Sequence, residues 1–398
     1  MKRCQLAVLA GLTSCSDAQG GVSAGFEVET LTDELDRPVG LAVLPDGRML
    51  ITEQDSGDIR LYDDGLVPTP VTTVATIGAI GCQESGLLGI VAHPDFDTNG
   101  YFYVYYTNAN DTAHVLSRFT LDGETASGET PILSLYPTSA GDGNACANHD
   151  GGYLTFGPDG YLYVTNGERQ IFSADAQDST SLLGKTLRVT DSGAAAPGNP
   201  FGNEVWTMGN RNSYGIAFHA VSGELYETEN GPNADDEVNR LVAGDDYGWP
   251  ADTGDNSNPA FHDPIRVYNP PICLTGITSY AGGPFPDEMD GDLFYADCNT
   301  GHIHRMRISA GDPEVAAEVD DDFAQVDGAT IDVKWGPDGA LYFTAMRYQG
   351  NEPGRLYRVR YTGGGAADGG ADGAEGEGEG PAVVGSSDGC GCQIGARP

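Results

Sequence analysis

One phrase recurs along this chain: an apolar strand, a Pro-Asp-Gly turn and a second apolar strand. It is plainest as VGLAVLPDGRMLITE (39–53), GGYLTFGPDGYLYVTNGE (151–168) and DVKWGPDGALYFTA (332–345). Looser copies are LLGIVAHPDFDTNGYFYVYYT (87–107), YGIAFHAVSGELYETE (214–229) and GITSYAGGPFPDEMDGDLFYAD (276–297). An Asp-Gly or Asn-Gly pair suits the positive φ of a tight hairpin. A further strand usually follows, as in DIRLYDD, VLSRFTLDG, KTLRVTD, EVNRLVA, HIHRMRIS and GRLYRVRY. Units of three or four strands, roughly 50–65 residues apart, predict an all-β fold: a six-bladed β-propeller with long loops.

A propeller must close its ring, because closure removes exposed strand edges. The strand FEVETLTDEL (26–35) precedes the first full repeat and is expected to join the last blade beside RLYRVRY (355–361). The chain then divides into a signal segment and short linker (1–25), the propeller (26–361) and a Gly- and acid-rich tail (362–398). The tail has almost nothing to bury and is expected to be disordered.

The 57 Gly and 23 Pro agree with an all-β reading. Acidic residues outnumber basic ones 59 to 20, for a formal charge of −39. Such a surface repels a polyanion, so nucleic acid is excluded as a partner. Some of the carboxylates and loop carbonyls are candidates for Ca²⁺, which prefers oxygen ligands; solubility alone is the plainer use of the charge.

Lys2 and Arg3 precede a short apolar segment, the pattern of an export signal and too short for a membrane span. Leu12-Thr13-Ser14-Cys15 resembles the bacterial lipobox, which would make Cys15 a lipidation site. The expectation is an exported lipoprotein of the outer membrane, periplasm or cell surface, touching the membrane only through that anchor; a plain secreted protein is the alternative. Cys82, Cys146, Cys273 and Cys298 in the body read as two disulfides, since a Cys₄ zinc site would want a C-x₂-C spacing that they lack. The closing DGCGCQIGARP, with Cys390 and Cys392, resembles the cysteine-bearing part of myxobacterial C-terminal sorting signals.

Five ordered segments carry a more specific resemblance: ESGLLGIVAHPDF (84–96), NHDGGYLTFGPDGYLYVTNGE (148–168), AQDSTSLLGKTLRV (176–189), NPFGNEVWTMGNRNSYGIAF (199–218) and ENGPNADDEVNRLVAGDDYGWP (229–250). Together they resemble the soluble pyrroloquinoline quinone (PQQ) dependent glucose, aldose-sugar and sorbosone dehydrogenases. The resemblance implies oxidation of a sugar's anomeric hydroxyl to a lactone, with an external electron acceptor. It assigns His149 as the base, Glu84 and Asn148 to the substrate, and Arg211 and Asn212 to the quinone. It places Ca²⁺ at the carbonyls of Gly231 and Pro232, with Asp235 and Asp236 as further candidates. Glu84 is also the expected partner of His149. A Cys82–Cys146 bridge would pin their two loops at one mouth, and leaves Cys273 to pair with Cys298. His93 is expected to pack or form a turn, and His114, His219, His262, His302 and His304 have no comparable setting.

The resemblance has gaps. Asn299 stands where the family has a lysine, and Ala329 and Ile331 stand where two arginines precede the aspartate now at Asp332. Arg305, Arg347 and Arg355 are candidates to replace those cations. Three functions follow: a PQQ sugar dehydrogenase, a calcium-stabilised carbohydrate- or protein-binding module without activity, and a calcium-dependent lactonase. A monomer or a homodimer fits each.

Overall fold

The computed structural model describes residues 21–65, 70–110, 113–135, 146–255, 258–347 and 353–363. Cys15, the lipobox and the tail with Cys390 and Cys392 lie outside the described residues. Six four-stranded antiparallel sheets follow one another along the chain. Their innermost strands are Pro38–Val43, Leu87–Ala92, Gly151–Phe156, Ser213–Phe218, Leu274–Ser279 and Ala329–Trp335, which number blades one to six. Each inner strand pairs with the second strand of its own repeat, so all six sequence copies are blade hairpins. The turn glycines Gly47, Gly160 and Gly339 have φ of 90°, 79° and 73°, as the Pro-Asp-Gly turns require.

Ring closure is as expected. Phe26–Leu35 lies antiparallel to Gly354–Tyr361 as the outer strand of blade six, with Phe26 opposite Tyr361. The chain enters the fold slightly earlier than the strand pattern suggests: Val22 bridges to Ala324 and the Ser23 amide donates to Phe323. Tail-end and head-end residues therefore seal the same seam.

The core lies between neighbouring blades. Leu50, Ile59 and Leu61 of blade one pack with Phe102, Val104 and Tyr106 of blade two, and similar clusters fill the other seams. Near the axis the inner strands crowd together. A Cβ on Gly40 would lie 2.6 Å from the Leu88 carbonyl, and one on Gly89 would collide with that of Gly152. Second-strand threonines stitch the same seams: Thr52 Oγ1 donates to Leu88 O at 2.5 Å and Thr344 Oγ1 to Val39 O at 3.2 Å.

Across the axis, Tyr153 of blade three hydrogen-bonds Asp332 of blade six, and Lys334 Nζ lies 2.7 Å from Asp332 Oδ1 while also bonding the Tyr153 hydroxyl. The other Asp332 oxygen accepts the Leu41 amide of blade one at 2.7 Å. This cluster joins three blades through the middle of the ring.

Candidate active site

The loops that enter the inner strands of blades two, three and four deliver the expected residues to one place. The Cys82–Cys146 bridge is formed, with Cα atoms 5.4 Å apart, and so is Cys273–Cys298. Glu84 and His149 are both buried, at 8% and 3% exposure. Glu84 Oε2 accepts the backbone N–H of His149 at 2.7 Å and the side-chain amide of Asn212 at 3.2 Å. Asn148 is half-buried on the same loop.

Glu84 is not the partner of the imidazole ring, however. His149 Nδ1 lies 2.6 Å from Glu168 Oε1, a residue that the sequence reading passed over. The signal was present in the hairpin: Gly151 pairs with Asn166, so two residues beyond the ladder His149 meets Glu168. A carboxylate at Nδ1 fixes the ring in the tautomer that leaves Nε2 as acceptor. His149 holds its place with a left-handed backbone, φ 65°, and its carbonyl accepts the Arg169 amide at 3.1 Å.

Arg211 is buried at the entry to blade four. Its amide donates to Glu229, and its guanidinium donates to the carbonyls of Asn230 and Gly231, both at 2.8 Å. The Arg211 guanidinium carbon also sits 5.3 Å from the Trp249 ring centre. Glu229 and the Asn210 amide that reaches Glu227 at 2.7 Å are further supports the sequence did not mark.

Three of the four proposed calcium ligands, Gly231, Asp235 and Asp236, have partners within the protein. Asp236 is fully buried; Oδ1 accepts the Gly231 amide at 2.9 Å, and Oδ2 accepts the Ile272 and Cys273 amides at 2.8 and 2.6 Å. Burial pushes its carboxyl up to about 6 against those amides. It fastens the Cys273–Cys298 loop. Asp235 Oδ1 accepts the Asn269 side chain at 3.0 Å. The Gly231 carbonyl already takes an arginine, Pro232 is half-buried beside it, and no cluster of three or more His, Cys, Asp or Glu suited to a metal occurs among the described residues.

Beside Glu84 a cavity of about 20 Å³ opens at the axis, lined by Val39, Leu88, Gly151, Tyr214, Ile331 and Met346 among others. Ala329 and Ile331, at the family's arginine positions, are buried in apolar packing, and Asn299 is exposed. Arg305 cannot replace those cations: it binds Asp292 at 2.5 Å, before the strand Leu293–Asp297 and at the end of blade five away from the site. Arg347 follows Met346 at the site end of blade six and pairs with Asp327 at 2.9 Å. Glu84 Oε1, Asn212 Oδ1, Asn230 Oδ1 and Arg211 Nε are buried without a hydrogen-bond partner among the described residues. Unpaired buried polar atoms of this kind point to a polar ligand.

Fold and site together define a propeller protein with a buried histidine–carboxylate pair at one end of its axis, beside an apolar-floored cavity with polar walls. The chain belongs to the Glucose / Sorbosone dehydrogenase family, whose model matches residues 35–358. It is 29% identical to the aldose sugar dehydrogenase YliI of Escherichia coli, over 84% of this chain and 94% of that one. Among solved structures it is similar to a putative oxidoreductase (glucose dehydrogenase) of Thermus thermophilus, with TM-score 0.74 and 34% identity over 84% of this chain and 100% of that one. It also resembles the PQQ-bound aldose sugar dehydrogenase of Streptomyces coelicolor, with TM-score 0.71 and 28% identity, covering 85% of this chain and 99% of that one.

Proposed function

We propose that the chain is an exported sugar dehydrogenase that oxidises the anomeric hydroxyl of an aldose to a lactone and passes the electrons to an external acceptor. The carrying observation is the 2.6 Å contact between His149 Nδ1 and Glu168. With Nδ1 committed, Nε2 is the atom that takes the hydroxyl proton, and the Glu168 carboxylate stabilises the imidazolium that results. Glu84 Oε1 is unpaired and accepts a second sugar hydroxyl, while Oε2 keeps the His149 loop and Asn212 in register. Asn148 is a further substrate contact on this reading.

The chemistry of the residues present suits a flat, polar-rimmed cofactor, but the cavity of about 20 Å³ has the size of a single water and must widen to admit such a group. Val39, Leu88, Ile331 and Met346 supply an apolar floor; beyond Glu84, Arg211 keeps an unpaired Nε–H donor and Asn212 an unpaired Oδ1 acceptor. Held there, PQQ would supply the acceptor for the hydride that leaves the anomeric carbon. With Asn299, Ala329 and Ile331 in place of three cations, binding rests mainly on Arg211 and is weaker, each missing charge-assisted bond being worth roughly 1.5–3 kcal/mol. No cluster of three or more carboxylates, His or Cys suited to calcium occurs among the described residues, and Asp236 is taken up by backbone amides, so no step is assigned to the ion. Two disulfides suit an oxidising compartment, consistent with export and lipidation at Cys15.

The test is reconstitution of purified protein with PQQ, with and without Ca²⁺, following dye reduction over a panel of aldoses. Sugar-dependent reduction that His149→Ala abolishes supports the proposal. No quinone spectrum and no reduction overturn it, and calcium-dependent stabilisation without turnover would mark a binding module.

A further inference from the structure

His149 is followed by Asp150, and Glu168 by Arg169. The two dipeptides face each other, so the same loops that make one pair at the mouth make a second pair on the inner side. Asp150 Oδ1 lies 3.1 Å from His114 Nε2 and 3.6 Å from Arg169 Nη1, and Oδ2 accepts the Ser85 hydroxyl at 2.5 Å. Arg169 Nη1 is 2.5 Å from His114 Nε2. Tyr105 caps the group: its hydroxyl lies 2.5 Å from His114 Nδ1, 2.7 Å from Asn166 Oδ1 and 3.0 Å from the Asp150 carbonyl. Asp150, Arg169 and His114 are all fully buried. His149 and Arg169 both carry left-handed backbones, φ 65° and 60°, a conformation non-glycine residues hold only where surroundings impose it.

A buried ionic group is rarely needed for stability, since apolar side chains of similar volume serve as well. Here it stands directly behind the proposed base. Burial alone would raise the Asp150 carboxyl, but the His114 ring, the Arg169 charge and the Ser85 hydroxyl outweigh it and hold the carboxyl below its usual range. We propose that Asp150, Arg169 and His114 are positioning residues that hold the His149–Glu168 pair and set the pH range in which His149 works as a base. This rests on the reading of His149 as that base. The other charged groups facing His149 are Glu168 and Glu84, and Arg211 acts on both of those carboxylates.

The experiment uses Asp150→Asn, Arg169→Gln and the double variant, reading the acid limb of the kcat/KM profile. Removing the Asp150 charge disfavours the imidazolium and moves the limb to lower pH by about one unit, a tenfold change. Arg169→Gln moves it up by about as much, and the double variant returns toward the parent. NMR titration of the His149 ring in cofactor-free protein follows the same displacements, so a failure of PQQ to bind does not disable the test. Displacements of the same sign in both single variants, or a lowered Tm with no displacement, overturn the proposal. If a single variant fails to fold, Ser85→Ala takes its place: losing that donor concentrates charge on Asp150 and lifts the midpoint by about half a pH unit, a threefold change in proton affinity, and no movement overturns the proposal.

Discussion

Glu84 Oε2 accepts the backbone N–H of His149 at 2.7 Å, so a side chain of blade two sets the height of a loop of blade three. Burial pushes the Glu84 carboxyl above its usual range. Glu84→Ala leaves that N–H and the Asn212 amide without an acceptor and is expected to cost about 1–3 kcal/mol. Glu84→Gln keeps an acceptor oxygen and should be nearly as stable as the parent, while raising KM for sugar. Equal Tm losses in the two variants, by calorimetry, would show that the oxygen is not what holds the loop.

The Cys82–Cys146 bridge closes a sequence separation of 64 residues and pins the same two loops. In the chain-entropy account a loop of this size is worth roughly 4 kcal/mol. Cys82→Ser/Cys146→Ser should lower the denaturation midpoint accordingly and impair turnover. Unchanged turnover would detach the bridge from the site.

Glu229 and Glu237 are cross-strand neighbours in blade four, with Glu227 beside them, and all three are buried. Burial first, then the Glu229 charge, pushes the Glu237 carboxyl up to about 8. A raised folded-state value means stability that is full below the ordinary 4.5 and lost as pH climbs toward 8. Glu237→Gln should match the parent in Tm near pH 5 and exceed it by several degrees at pH 8.5. A gap independent of pH would refute this.

Lys334 and Asp332 sit 2.7 Å apart at the axis, with the lysine side chain 21% exposed and its ammonium depressed by burial. Lys334→Met alone strands a buried carboxylate and, discounted for partial exposure, should cost about 2–3 kcal/mol. Asp332→Asn/Lys334→Met should cost less than the sum of the single changes. Additive losses in a double-mutant cycle would mean the pair is not coupled.

Much of this was legible in the chain. Period-two alternation and Asp-Gly turns are local, so six hairpins, their third strands and the closing strand could be placed by residue number. Even Glu168 was within reach, because the hairpin that pairs Gly151 with Asn166 carries its register onward to His149. The disulfide pairing was what the family resemblance implied, since it brings the loops of Glu84 and His149 to one mouth.

What the tertiary structure alone decided is how charged groups are used. Asp236, proposed for a metal, accepts three backbone amides; Arg305 looked like a substitute cation and lies at the far end of its blade; His114 had no marked setting and lies 3.1 Å from Asp150, next in sequence to His149. A carboxylate or imidazole takes its role from burial and from partners on other blades. Those partners meet only when the ring closes and inner strands crowd at the axis, a long-range outcome that no local pattern encodes.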